Sequence, residues 1–346
     1  MNNKTLGVAA LSLTMLAAWT GEPTTAVDSA TSRSAARDPV DSALWTDMRN
    51  VDLHVGKPGS PGALRVRSLR GRVIPTTPGV VPYLDEPESF RIDVTSGVVA
   101  LDGTAMTTLM NERVFAYRGA PIRNLKISIE NGQVIQSGIM HKGVDLPFKM
   151  WGDLSLTPDG WARIHPTKLR LLGVNGLKLM HALGLKMEKM LDVRGTNGVV
   201  RVVGDDMLID PMRLIPPPTV TGQIASMRIE GSEIVQTFQR SADDGRFAAQ
   251  LTPDSSVHNY IYYRFAQLRF GKLLMTPTDL LIGDADESDP LDLDLPRYEK
   301  QLVAGYTRTL EGGALRTWMP DLGDLGKGPL SPPIADARTR KVIGSR

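Results

Sequence analysis

The sequence predicts a β-rich α+β protein in which a curved antiparallel sheet wraps an amphipathic helix. Two observations lead to this fold class. The 346 residues include 33 glycines and 24 prolines, and this excess of turn-forming residues separates short segments that alternate between apolar and polar side chains. One stretch, residues 176–192, has instead the 3.6-residue period of a helix.

Composition excludes several functional classes. The chain contains no cysteine, so disulfides, thiolate metal sites, cysteine nucleophiles and the lipid-modified cysteine of a lipoprotein are excluded. The formal net charge is only +2, which gives no overall field that would attract nucleic acid. We therefore expect no nucleic-acid partner.

The N-terminus has the pattern of an export signal. Lys4 precedes an apolar run, Leu6–Ala18, that is shorter than the roughly 20 residues needed to span a bilayer. We expect residues 1–20 to be a signal peptide, with an uncleaved anchor as the alternative. The mature protein would then be periplasmic or secreted. Composition predicts disorder for the linker 21–42 and for the basic, proline-rich tail 326–346.

The second predicted strand, Ala63–Val73, is unusually basic. Its four arginines do not all share one parity: Arg65, Arg67, Arg70 and Arg72. This spacing predicts a bulge or a bend near Ser68. We expect a solvated edge strand protected by charge, with contact to anionic lipid headgroups as the alternative.

Turn residues organise the middle of the chain. Ser96-Gly97 predicts a hairpin within Phe90–Leu101, and the start of a short helix that runs to about Ala116 is predicted at residues 102–104. Asn131-Gly132 separates the alternating runs 122–130 and 133–140, which is a strong hairpin signal.

Residues 122–136 and 222–236 are similar at an offset of 100. Ile129, Glu130 and Gln136 are each matched by an identical residue 100 positions later. This similarity indicates either an internal repeat or two ordinary hairpins with similar strand chemistry. We expect one sheet-plus-helix region over residues 43–215, and a second β-rich region over 216–325 that is either separate or continues the same sheet.

The amphipathic stretch 176–192 supplies the candidate ligand site. Its apolar stripe consists of leucine and methionine: Leu179, Met180, Leu183, Met187, Met190 and Leu191. Methionine has a flexible, polarisable side chain that adapts to irregular partners. The stripe therefore predicts either ordinary packing on a sheet or a cover over an apolar groove, and the six residues are our candidate ligand contacts.

Few residues suggest catalysis or metal binding. The sequence has no Gly-x-Ser-x-Gly elbow and no phosphate-binding glycine loop, and its five histidines lie in separate elements, so we expect a non-enzymatic protein without a cofactor. The acidic stretch 284–294 fails as a helix–loop–helix calcium loop, because Asp289 replaces the required glycine and Leu295 replaces the last glutamate. We expect a solvated acidic loop without a metal. The alternative is irregular calcium binding by four residues: Asp284, Asp286, Asp289 and Asp292.

The order of elements in the middle of the chain resembles a known family pattern. The segments concerned are Thr104–Ala116, Ile122–Glu130, Asn131–Val134, Leu146–Gly152, Leu154–Gly160 and His165-Pro166. Over residues 90–215 this order resembles extracytoplasmic lipid-binding proteins of the tubular lipid-binding (TULIP) type, including LmeA-like phospholipid-binding proteins. The resemblance implies a curved sheet with an apolar lipid groove.

We therefore expect an exported protein that binds a lipid or other apolar ligand beneath the 176–192 helix, with a membrane surface as a further candidate partner. The alternative is a structural or interaction component of the cell envelope with a filled core.

Overall fold

The computed structural model describes residues 43–176, 186–245, 251, 253, 256–294 and 297–327. The predicted signal peptide 1–20, the linker 21–42, residues 177–185 of the predicted helix and the tail from 328 onward lie outside the described residues. Within these limits no helix has the length and apolar character needed to cross a membrane.

The described strands are numerous and range from two to 13 residues in length. In chain order they are β1 Leu44–His54, β2 Ala63–Pro75, β3 Phe90–Asp102, β4 Ile122–Glu130, β5 Gln133–Lys142, β6 Val144–Leu156, β7 Ala162–Leu171, β8 Val174–Asn175, β9 Val200–Val203, β10 Asp206–Ile209, β11 Thr219–Thr221, β12 Ile224–Glu230, β13 Glu233–Phe238, β14 Tyr260–Phe265, β15 Leu268–Phe270, β16 Leu273–Met275, β17 Thr278–Asp284, β18 Leu291–Leu293, β19 Tyr306–Thr309 and β20 Leu315–Met319. The described helices are α1 Gly103–Leu109, α2 Met187–Met190, α3 Pro211–Leu214 and α4 Tyr298–Ala304.

Eleven of the described strands form one large sheet. Its order is β12-β13-β3-β2-β1-β14-β17-β20-β19, with β11 beside β3 and β18 beside β1. Most pairs are antiparallel, but β11–β3, β18–β1 and β17–β20 are parallel. The sheet is strongly curled, which confirms the β-rich α+β class with a curved antiparallel sheet. Strands from the predicted regions 43–215 and 216–325 are hydrogen-bonded within it.

A second sheet contains the strands that follow α1. Its order is β4-β5-β6-β7-β10-β9, with β8 paired to β7. Buried apolar side chains from both sheets and from α1 belong to one continuous core. The candidate ligand site lies on the inner face of this second sheet.

Helix α1 joins the two sheets, and the sequence predicted it correctly. The Asp102 carboxylate caps the helix by accepting a hydrogen bond from the Ala105 amide at 2.7 Å. After α1 the chain makes a π-helical turn over Met110–Val114. The Asn111 side chain then bonds to both main-chain polar groups of Leu125, donating to its carbonyl at 2.7 Å and accepting from its amide at 3.0 Å. Helix and strand β4 are thus fixed to each other.

The predicted hairpin at Ser96-Gly97 is wrong, because β3 is one continuous strand. Gly97 faces Leu69 on β2, and a Cβ atom there would lie 3.0 Å from the Ser68 carbonyl oxygen. The glycine therefore permits a close approach of two backbones rather than a turn. The register of β2 against β3 shifts between Val66 and Ser68, so the bulge predicted near Ser68 is confirmed.

The predicted position of β2 at a sheet edge is also wrong, because β2 lies between β1 and β3. Its arginines tolerate this position because carboxylates of neighbouring segments pair with them. The pairs are Arg65–Asp52, Arg67–Glu230, Arg67–Glu233, Arg70–Asp47 and Arg72–Asp93. Neutralised in this way, the basic strand does not present four free cations to a lipid headgroup.

The predicted single helix over 176–192 is interrupted. Lys186 has extended backbone angles (φ −112°, ψ 156°), α2 comprises only Met187–Met190, and Leu191 is extended again. A hydrogen bond from the Met187 amide to the Asp205 carboxylate at 3.0 Å starts the short helix at this point. Tertiary contact with the turn between β9 and β10 thus overrides the amphipathic period.

The two similar hairpins have the same strand register. In the β4–β5 hairpin Ile127 faces Gln136, and in the β12–β13 hairpin Met227 faces Gln236. The two hairpins occupy corresponding places at the ends of their sheets. The similarity at an offset of 100 therefore extends from residue type to strand pairing.

Candidate functional site

An apolar cavity lies between the inner face of the second sheet and α2. Its volume is about 30 Å³. The described residues that line it are Ile122, Gln136, Met140, Phe148, Met150, Leu169, Leu171, Met187, Met190, Leu191 and Met207. Five of these are methionines, and all except Gln136 are apolar.

Strand register explains how the lining is assembled. Gln136 of β5 pairs with Met150 of β6, which pairs with Leu169 of β7, so these three side chains form one row across the sheet. Phe148 and Leu171 form the next row. Because side chains two residues apart share a face, alternate residues of each strand line the cavity.

Gln136 is the polar exception in this wall. Its side chain is about 1% exposed, and neither its Oε1 nor its Nε2 atom has a hydrogen-bond partner among the described residues. A buried amide without partners costs free energy, about 1–3 kcal/mol for an unsatisfied group. Gln136 therefore offers the N–H donors of Nε2 and the acceptor oxygen Oε1 to any molecule that enters the cavity.

Helix α2 covers the cavity with its buried Met187 side chain, and polar contacts at its outer side attach it to neighbouring segments. The Glu188 amide donates to the Gly204 carbonyl at 2.9 Å, and the Glu188 carboxylate accepts from the Gly204 amide at 2.8 Å. Lys142 Nζ donates to the Lys189 carbonyl at 3.0 Å. These partners belong to the β9–β10 turn and to the end of β5.

The structure assembles part of the predicted ligand site. Met187 and Leu191 are buried against the cavity and Met190 is partly buried there, whereas Leu179, Met180 and Leu183 lie outside the described residues. Sequence reasoning missed the strand contributions, including Gln136. The alternation of apolar residues in β5 and β6 marked a buried face, but it did not show that this face meets α2.

A larger, open cleft of about 1120 Å³ lies elsewhere, and its wall combines apolar surface with charged side chains. It is lined by charged side chains, among them Glu112, Arg113 and Glu299, together with several prolines. The Glu112 carboxylate already accepts hydrogen bonds from the Ser60 hydroxyl and the Lys57 amide. This mixed lining does not suit a purely apolar ligand.

The four candidate calcium ligands do not converge as a group. Asp284 and Asp289 approach each other, but the Asp286 carboxylate accepts from the Ser288 amide at 3.0 Å, and Asp292 Oδ1 lies 3.2 Å from His54 Nε2. The prediction of a solvated loop is wrong for Asp284, which is about 2% exposed. Burial raises the pKa of Asp284 to about 7, and the charge of Asp321 adds to this effect.

Three histidines are paired with aspartates in separate places. Besides His54, His141 Nδ1 lies 2.7 Å from Asp145 Oδ1, and His165 Nδ1 lies 2.6 Å from Asp206 Oδ1. His54 is in the large sheet, and the other two pairs lie at different positions on the second sheet. These histidines therefore do not converge on a common site.

Comparison of the chain with protein-family models, with curated proteins and with solved structures found no match. The functional argument therefore depends on the site itself.

Proposed function

We propose that this protein is an exported, non-enzymatic binder of a lipid or other apolar ligand, and that the methionine-lined cavity is its binding site. The observation that carries the proposal is the composition of the cavity wall, in which ten of the eleven described lining residues are apolar and five are methionine. Ligand sites typically combine an apolar lining with a few convergent polar groups, and Gln136 supplies such a group here.

The cavity is too small for a lipid unless α2 moves. Pockets for small molecules are typically about 300–1,000 Å³, so a volume of about 30 Å³ requires α2 to move away from the sheet. The outer hydrogen bonds of α2 can exchange with water at little net cost, because each contributes only about 0.5–1.5 kcal/mol. Each methylene of an acyl chain that replaces the buried Met187 and Leu191 side chains contributes about 0.8 kcal/mol.

Exposed apolar residues near this site support a membrane surface as a partner. Val144, Leu172 and Val174 are exposed at the end of the second sheet where the β5–β6 and β7–β8 turns lie. Lys142 and Arg170 accompany them. Apolar side chains next to cations suit the boundary between acyl chains and anionic headgroups. The N-terminal apolar run supports a periplasmic or secreted location for the proposed function.

The small volume favours a second candidate function. A cavity of about 30 Å³ holds little more than a water molecule, so the same structure is compatible with a filled core. In that case the protein would be a structural or interaction component of the cell envelope, and the methionines would serve only packing.

A matched pair of methionine variants separates the two functions. Met187 and Met106 are each about 5% exposed, but only Met187 lines the cavity. We expect Met187→Ala to weaken binding of a fluorescent fatty-acid probe, while Met106→Ala leaves it unchanged. A methionine-to-alanine change in a filled core costs roughly 2–5 kcal/mol. We expect Met187→Ala to cost less than Met106→Ala, because α2 is the displaceable cover.

Mass spectrometry of an apolar extract from the purified protein provides the direct test. Co-purifying lipid that is lost in Met187→Ala would support the proposal. Absence of probe binding by the wild-type protein, together with equal destabilisation by both variants, would refute it and support the filled core.

A further inference from the structure

Two parallel strands bring distant aspartates together at one edge of the large sheet. β17 ends at Asp284 and pairs in parallel with β20, where Asp284 lies opposite Met319. Asp321 follows two residues later, beyond the end of β20. Because parallel strands end on the same side, the two carboxylates become neighbours although 37 positions separate them in sequence.

The acidic loop then adds a third carboxylate. Asp284, Asp289 and Asp321 each offer one oxygen such that the three atoms lie within 4.8 Å of one another. The loop is held in place by a buried amide: Asn259 donates through Nδ2 to the Asp289 carbonyl and accepts through Oδ1 from Asn50 at 2.8 Å. The position of Asp289 is thus fixed by the fold.

Two oxygens of this cluster lack partners. Asp284 Oδ2 and Asp321 Oδ1 are buried and have no hydrogen-bond partner among the described residues, whereas Asp284 Oδ1 accepts from the Asp286 amide at 3.0 Å. Asp284, Asp289 and Asp321 form no ion pair with any other described residue. A buried carboxylate is normally hydrogen-bonded, paired or bound to a metal, since the isolated charge is costly.

We propose that Asp284, Asp289 and Asp321 bind a divalent cation, with calcium preferred over magnesium. Calcium takes oxygen ligands at 2.3–2.6 Å, so two ligands on opposite sides of the ion lie up to about 5 Å apart. The three oxygens, all within 4.8 Å of one another, are close enough to bind one such ion. Magnesium, at 2.0–2.1 Å, requires a tighter octahedron.

The charge of the surroundings points the same way. Burial raises the pKa of Asp321 to about 6, and the charges of Asp289, Asp292, Asp324 and Asp286 add to this effect. A divalent cation would offset the repulsion among these carboxylates. This site is separate from the methionine-lined cavity and does not depend on the proposed function.

Calcium titration of the full chain by isothermal calorimetry, with parallel thermal unfolding, tests the site. For the chelator-treated wild-type protein we expect one calcium ion to bind and Tm to rise on addition of calcium. Asp321→Asn and Asp289→Asn should each lower calcium affinity about tenfold or more, because affinity depends on the number of charged ligands. Asp289 is exposed, so its variant tests the site without a risk to folding.

The matched control is Glu287→Gln, which removes one charge from the same loop at an exposed position. We expect it to bind calcium nearly as the wild type does. Asp284→Asn gives an opposite readout in the metal-free protein: it should raise Tm because it relieves repulsion, and it should abolish the calcium-induced rise. No heat and no Tm shift with calcium, or binding that persists unchanged in Asp289→Asn and Asp321→Asn, would overturn the proposal.

Discussion

Replacement of Gln136 by methionine tests whether the cavity wall carries a polar group for a ligand. Gln136→Met keeps an unbranched side chain of similar length but removes the donor and the acceptor. Both polar atoms of Gln136 lack partners among the described residues. Because an unsatisfied buried group costs about 1–3 kcal/mol, the variant should be more stable than the wild type by about 1–3 kcal/mol.

The same change should impair the proposed function. If the amide binds the carboxylate of a fatty-acid probe, its loss removes a hydrogen bond to a charged group, which contributes about 1.5–3 kcal/mol. This corresponds to roughly a tenfold to hundredfold weaker affinity. Urea unfolding measures the first effect, as a shift of the midpoint at constant slope, and probe fluorescence measures the second.

Gln236 provides a matched control, because it occupies the equivalent position of the β12–β13 hairpin. It is about 4% exposed, and only its Oε1 is without a partner among the described residues. Gln236→Met should therefore gain less stability and leave probe binding unchanged. Destabilisation by Gln136→Met, with unaltered probe affinity, would refute the view that this amide is held for a ligand.

Three further predictions concern the fold. The hydrogen bond to Asp292 raises the pKa of His54 above its ordinary 6.5, so the stabilisation is complete below that pH and is lost as pH rises through the folded-state pKa; urea unfolding should show that Asp292→Asn costs more stability near pH 5.5 than near pH 8.5. Asn111→Ala should destabilise the protein by about 1–3 kcal/mol in urea unfolding, since it leaves both main-chain polar groups of the buried Leu125 unpaired. Gly103→Ala should lower Tm, because its Cβ would lie 2.5 Å from a carbonyl oxygen of β4.

Each of these expectations has a contradicting result. If Asp292→Asn lowers the free energy of unfolding equally at both pH values, the charged His54–Asp292 pair does not contribute to stability as we expect. The control for Asn111→Ala is Asn111→Asp, which retains the acceptor but loses the donor. If both variants lose no more stability than a surface substitution does, Asn111 does not act as the bridge to Leu125. An unchanged Tm for Gly103→Ala would show that α1 can move away from β4.

Local signals in the sequence determined a large part of the fold. Asn131-Gly132 fixed the β4–β5 hairpin, because its backbone geometry matches the twist of the flanking strands. Asp102 fixed the start of α1, since its side chain satisfies a free amide of the first turn. Each of these interactions links residues only a few positions apart. The β-rich class followed from many such signals together.

Tertiary structure decided where local signals had more than one meaning. Ser96-Gly97 is compatible with a turn or with a close approach of two strands, and only the neighbouring bulge in β2 selected the second. The amphipathic period predicted one helix through Lys186, but the contact of the Met187 amide with Asp205 began a separate turn of helix.

The candidate sites show the same division. The sequence identified Met187 and Leu191 by their helical spacing, but it gave no reason to join them to Gln136, which reaches the cavity through strand register. The sequence identified Asp284 as a candidate calcium ligand but gave no reason to join it to Asp321. The parallel pairing of β17 with β20, which brings the two together, has no local signal in the sequence. The sequence determines the chemistry of each residue. Which distant residues come together depends on which strands become neighbours when the apolar core is buried.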